Sequence, residues 1–162
     1  MANTFSQIHL QFVFAVQNRK CIISYEWKAD LYKYITGINN NFGHKLIAIN
    51  GVADHVHLLV GFRPSQAISE YMRIIKGESS EWVNKRRFIS EKFSWQEGFG
   101  AFSYSKKEIE SVICYIMNQE NHHRKISFME EYRNILKEFQ IEFDERYIFK
   151  KYGNQSGLAK VK

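Results

Sequence analysis

Cysteine and proline are scarce in this chain. Its 162 residues hold two cysteines, Cys21 and Cys114, and one proline, Pro64. The cysteines are far apart and form no CxxC pair. Two lone thiols read as buried and reduced, which suits a cytoplasmic protein. No apolar run reaches the length of a bilayer span, so no membrane partner is expected. The opening MANTFSQIHLQF lacks a basic segment followed by a long apolar one, so no signal peptide is expected. Repeats, low-complexity blocks and domain linkers are missing as well. One domain with a sizeable core is the reading that remains. A composition of 44% hydrophobic and 25% charged residues is an ordinary globular balance and excludes disorder for most of the chain.

What is abundant is positive charge and aromatic rings. The formal net charge is +6, and the 15% aromatic fraction includes nine Tyr and thirteen Phe. The charge suits a polyanionic partner. Rings beside basic residues suit single-stranded nucleic acid, although most of them belong to the core.

Along the chain, IHLQFVFAV (8–16) alternates as a strand, with Ile8, Leu10, Phe12 and Phe14 on one face. Ser24 is placed to cap a helix over 25–42, whose Trp27, Leu31, Ile35, Ile38 and Phe42 recur at helical spacing. Asn41 and Gly43 mark its end. KLIAINGVA (45–53) and HVHLLVGF (55–62) read as two strands joined at Asp54 by a hairpin-type junction. Pro64 opens the next helix, with Ile68, Met72, Ile75, Ser79 and Trp82 as its buried stripe. FGAFSYS (99–105) is a fourth strand. Ser105 and Glu108 form a capping box for a helix running to about 121. A last helix covers roughly 127–140. The order β-α-β-β-α-β-α-α gives an α+β fold, a ferredoxin-like (split βαβ) antiparallel sheet with helices on one face plus C-terminal helices. The domain is expected to span 1–145, followed by a basic, flexible tail over 146–162.

The segment ADHVHLLV (53–60) carries the first chemical signal. Residues i and i+2 of a strand share a face roughly 6–7 Å apart. His55 and His57 therefore project together and can ligate one metal ion, or else sit half-buried and hydrogen-bonded. On the helix after Ser105, Ile109, Val112, Ile113 and Ile116 form the core stripe. Tyr115 and Gln119 lie one turn apart beside that stripe, and Glu108 and His122 fall near the same line. A metal on paired histidines could polarise a phosphodiester, and a tyrosine helped by nearby positive charge could attack phosphorus. Arg73, Lys76, Arg86, Arg87, Lys106, Lys107, Arg124 and Lys125 are candidates for phosphate contacts.

These residues carry a resemblance. NGVADHVHLLV (50–60), IKGESSEWVN (75–84), WQEGFGAFSYS (95–105) and YIMNQENHHRK (115–125) resemble, in order, blocks of the single-tyrosine HUH transposases, the IS200-like group and its REP-associated relatives. The similarity covers about residues 5–140. It implies that His55 and His57 bind a divalent metal, magnesium or manganese, with Gln119 as third ligand. It implies that Tyr115 is the catalytic nucleophile, cutting single-stranded DNA through a 5′-phosphotyrosine. The implied substrate is a hairpin at an element's end, cut and rejoined as a single strand. The implied assembly is a homodimer whose active sites are shared between subunits. Two imidazoles and an amide oxygen are softer than magnesium prefers, so intrinsic affinity favours manganese or later metals.

Two other readings compete. One is a non-catalytic RNA- or single-strand-binding module on a ferredoxin-like sheet. It lacks an RNP-type block, since EGFGAF (97–102) is a faint echo, and it leaves His55 and His57 idle. The other is a zinc hydrolase, which would need a further ligand and a base from Glu108 or His122.

Overall fold

The structure, a computed structural model, describes residues 3–148. Four strands, β1 (His9–Ala15), β2 (Lys45–Val52), β3 (His55–Gly61) and β4 (Gly100–Tyr104), form one antiparallel sheet in the order β2-β3-β1-β4. Helix α1 (Lys28–Asn41) joins β1 to β2, and α2 (Ile68–Arg86) joins β3 to β4. This is the split βαβ arrangement that the order of elements implied. Helices α3 (Ile109–Met117), α4 (Gln119–His123) and α5 (Phe128–Glu138) follow.

β1 and β3 are the central strands, and both of their faces are covered. Leu10, Phe12 and Phe14 of β1 pack with Val56, Leu58 and Val60 of β3 against Leu31 and Ile35 of α1 and Met72 and Ile75 of α2. The alternate residues face the C-terminal helices. Val13, Ala15 and Phe102 meet Phe128, Tyr132, Ile135 and Leu136 of α5. Leu59 and Ala48 meet Val112 and Ile116 of α3. His55 and His57 share this second face, in the seam between the α5 and α3 clusters.

The β2–β3 hairpin turns on two residues, Ala53 and Asp54, because Val52 pairs with His55. The Asp54 carbonyl accepts from the Val16 amide at 2.8 Å and the Ala53 carbonyl from the Ile23 amide at 3.0 Å, which ties the turn to the end of β1. Gly51 is a steric requirement here, since a Cβ would lie 2.1 Å from the His55 carbonyl oxygen.

Ser24 does not cap α1 with its side chain; its carbonyl accepts from the Trp27 and Lys28 amides, and α1 begins at Lys28. Pro64 lies in the turn before α2, which starts at Ile68. In α2, Tyr71 and Val83 are buried, Ile68 is exposed, and Trp82 is half-buried and stacked on Tyr34 at 4.9 Å. Ser105 and Glu108 do form the capping box, opening a 3-10 turn (Lys106–Glu108) ahead of α3.

The helix expected to run to about 121 breaks at Asn118, whose φ and ψ of −96° and 18° are not helical. The cause lies on β2. Asn50 Nδ2 donates to the Ile116 and Met117 carbonyls at 3.0 and 3.2 Å. An unbroken helix would give those carbonyls to amides four residues on. Cys21 and Cys114 are both exposed rather than buried, and neither forms a disulfide. Of the expected tail, Glu145–Tyr147 form a 3-10 turn and Ile148 is buried against the α5 cluster; residues 149–162 lie outside the described residues. Among the described residues no helix is long and apolar enough to cross a membrane.

Candidate active site

His55 and His57 are completely buried, with ring centroids 5.1 Å apart. They meet residues from two further elements. Gln119 and His123 come from α4, and Glu131 comes from α5, one turn inside its Ser127 cap. One ligand atom from each of His55, His57, His123 and Glu131 falls within 4.8 Å of the others. Gln119 Oε1 joins them, 3.1 Å from His55 Nε2 and 3.0 Å from His123 Nε2.

Partners behind the rings decide what these nitrogens can do. A carboxylate and a backbone carbonyl can only accept, so His55 Nδ1–H donates to Asp54 Oδ1 at 2.7 Å and His123 Nδ1–H donates to the Ile126 carbonyl at 3.0 Å. Each bond turns an Nε2 lone pair inward. A metal-ligating histidine carries the same kind of outer hydrogen bond. His57 differs: Gln11 Nε2 donates to its Nδ1 at 2.8 Å, and its Nε2–H donates to Glu131 Oε1 at 3.1 Å. Gln11 Oε1 in turn accepts from the Tyr104 hydroxyl at 2.8 Å. An amide can be turned over within one envelope. Turned, Gln11 would accept from Nδ1–H and donate to Tyr104, whose hydroxyl serves either role. His57 Nε2 would then be free as a ligand.

The convergent acceptors require a positive charge among them. In the metal-free protein protons supply it. Burial alone would lower His55, but its bonds to Asp54 and Glu131 prevail and push it up to about 9. In His57 burial wins, and its pKa falls. Burial would raise Glu131, yet hydrogen bonds from His123 and His55 and the charge of His57 hold it far below the usual carboxylate range. A divalent ion suits the same place: three imidazole nitrogens, an amide oxygen and a buried carboxylate, with outer bonds that set the tautomers.

Tyr115 stands at the rim. Its ring is 5.8 Å from that of His57 and perpendicular to it. Its hydroxyl donates to Glu131 Oε2, and burial, with the adjacent carboxylate, pushes its pKa up. A cleft of about 310 Å³, lined by Tyr104, Ser111, Tyr115, His122, Glu131 and Asn134 among others, opens on this side.

The site thus unites the expected His55, His57, Tyr115 and Gln119 within one chain. It adds His123 and Glu131, which were not foreseen. Glu108 serves the capping box instead, and His122 Nε2 lies 3.1 Å from Glu131 Oε2 without hydrogen-bond geometry. The basic candidates divide. Lys76 is a structural tie, donating to the Gln96 and Gly98 carbonyls at 2.6 and 2.8 Å. Arg73, Arg86 and Arg87 belong to α2 or its end, across the sheet from the cluster, and Arg86 covers the Trp82 and Phe88 rings. Lys106, Lys107, Arg124 and Lys125 are exposed beside α3 and α4, on the cluster's side of the sheet.

A split βαβ sheet with this succession of helices is the fold of the tyrosine transposases. The structure of a REP-associated tyrosine transposase bound to a REP hairpin is similar at 15% identity and a TM-score of 0.58, over 76% of this chain and 73% of that one. A candidate transposase from Deinococcus radiodurans R1 is similar at 20% identity and a TM-score of 0.61, over 74% of this chain and 95% of that one. No curated protein matches the chain. The family model described as "Transposase IS200 like" matches residues 4–119, and the chain belongs to that family.

Proposed function

We propose that this transposase cuts and rejoins single-stranded DNA at hairpin-marked ends, with Tyr115 as the nucleophile. The observation that carries the reading is the Tyr115 hydroxyl, held by a carboxylate that also belongs to a metal-fitting cluster built on His55 and His57. The hairpin bound by the REP-associated relative supports the substrate class. Residues 1–145 act as one HUH endonuclease domain, and a DNA substrate together with thiols outside disulfides fits the cytoplasm.

His55, His57, His123, Gln119 and Glu131 would hold the divalent ion. When bound, it polarises the scissile phosphodiester and stabilises the charge of the transition state. Three imidazoles move the preference further from magnesium towards manganese or later metals. The chain's own part is the covalent step. Tyr115 Oη bonds to phosphorus, and the bond from phosphorus to the 3′ oxygen breaks. The phenolic proton leaves to solvent, and the departing 3′ oxygen takes one up. A 5′-phosphotyrosine and a free 3′-hydroxyl result, and attack by a 3′-hydroxyl reverses the step to rejoin the strand. Lys106, Lys107, Arg124 and Lys125 contact phosphates near the cut.

Wild-type protein with a single-stranded hairpin and manganese should yield an adduct that survives denaturing electrophoresis. Tyr115→Phe should yield none, and Tyr132→Phe should retain it. Adduct from Tyr115→Phe would move the nucleophile elsewhere. Cleavage by that variant without adduct would favour water as the nucleophile and the hydrolase reading.

A further inference from the structure

We infer that Glu131 is a positioning residue that couples the tyrosine to the metal cluster, one carboxylate oxygen serving each. The inference rests on the reading of Tyr115 as nucleophile. Glu131 is 2% exposed. Its Oε1 lies 3.1 Å from His57 Nε2, 3.2 Å from His123 Nε2 and 3.5 Å from His55 Nε2. Its Oε2 accepts from the Tyr115 hydroxyl and, at 3.1 Å, from Gln119 Nε2. The imidazoles of His55, His57 and His123 thus face Oε1, while the nucleophile, with the Gln119 amide and His122 Nε2, faces Oε2.

The carboxylate is firmly placed. The Ser127 hydroxyl accepts from the Glu130 amide at 3.2 Å and starts α5. Phe128 stacks on His55 with centroids 3.9 Å apart, which fixes α5 against β3. Tyr115, by contrast, projects from α3 towards an open cleft, where packing alone leaves its side-chain torsions, and so the place of Oη, free to vary. The Oε2 bond restricts that freedom. Because both oxygens belong to one carboxylate, the phenol is held at a set distance from the atoms that would ligate the ion. Orientation of this kind contributes directly to rate, and a misplacement of about 1 Å can cost on the order of 100-fold.

Glu131→Gln tests this, because it keeps the shape but replaces one oxygen with a donor. With its amide oxygen in the cluster, its NH₂ faces the phenol and Gln119 Nε2, and Tyr115 loses its acceptor. A calorimetric manganese titration first sets a saturating concentration for each protein. At saturation, kcat for adduct formation on a single-stranded hairpin should fall about 100-fold, with KM unchanged. A second readout is independent of turnover. In protein labelled with ¹³C at tyrosine Cζ, the Tyr115 resonance, assigned by its loss in Tyr115→Phe, should shift when zinc is added to wild type and not in Glu131→Gln.

If Glu131→Gln does not fold, Glu131→Asp carries the same test. It keeps the charge, but its shorter arm cannot reach both partners, so the same fall in kcat and the same unresponsive resonance are expected. Wild-type kcat at saturating metal, or a zinc-responsive Tyr115 resonance in the variant, would overturn the coupling. Failure of the nucleophile reading looks different: Tyr115→Phe would form adduct, or wild type would form none. The resonance would then still report whether Glu131 links phenol and metal.

Discussion

Gln11 reaches the cluster only through the far side of the His57 ring, yet it governs whether that ring can serve as a ligand. Its amide sits between His57 Nδ1 and the Tyr104 hydroxyl, at 2.8 Å from each. Gln11→Leu would leave Nδ1 without a partner and the ring without a fixed tautomer. Metal affinity should fall roughly 10–100-fold, as measured by calorimetric titration, while the fold is retained. Neither Gln11 nor Tyr104 was legible as part of the site. His55 and His57 stood out because strand periodicity is strict; Tyr115 and Gln119 stood out by their i, i+4 spacing, and their roles came from the family resemblance alone. Glu131 left one overlooked signal. It falls inside the apolar stripe of Phe128, Tyr132 and Ile135, where a carboxylate is almost never fully buried unless paired. His123 left another: it stands four residues after Gln119, at the spacing that pairs Tyr115 with Gln119, but just past the expected end of that helix.

At the scale of elements, the break between α3 and α4 aligns the site. Asn50 takes the last carbonyls of α3, and α4 restarts with Gln119 and His123 turned towards His55. Asn50→Ala should destabilise the protein by roughly 1–3 kcal/mol in urea unfolding, and adduct formation should slow as Gln119 and His123 lose register. The four strands, their order and the helices between them were legible from alternation and helical spacing. The break was not, because its cause is a side chain 66 residues away in sequence. The same remoteness explains Lys76, which read as a phosphate contact and proves to clasp the 96–98 loop. Lys76→Ala should lower stability and leave the salt dependence of DNA binding unchanged. Each of Lys106, Lys107, Arg124 and Lys125, replaced by Ala, should reduce the slope of log affinity against log salt by about 0.7 if it contacts a single-strand phosphate. Fluorescence anisotropy across a salt series reads both effects.

Over the whole molecule, the sheet separates two jobs. One face buries most of the apolar core under α1 and α2. The other holds a polar seam between two smaller clusters, where the groups of the proposed chemistry gather. The family resemblance implies a homodimer with shared sites; within one chain the His57 and Tyr115 rings lie 5.8 Å apart. If each site is built within one chain, mixing His57→Ala chains with Tyr115→Phe chains should restore no adduct formation, even where cross-linking shows that mixed dimers form. Recovery of activity in the mixture would place the tyrosine in the partner's site.

The covalent bond itself can be read by mass spectrometry. Wild-type protein reacted with a single-stranded hairpin and manganese, then treated with nuclease and trypsin, releases the peptide EIESVICYIMNQENHHR (108–124), in which Tyr115 is the only tyrosine. Fragmentation should find a nucleoside 5′-phosphate on Tyr115, and the modification should disappear when metal is chelated before the reaction. Cleaved DNA with that peptide unmodified, or with the phosphate on a tyrosine of another peptide, would contradict the assignment of Tyr115 as the nucleophile.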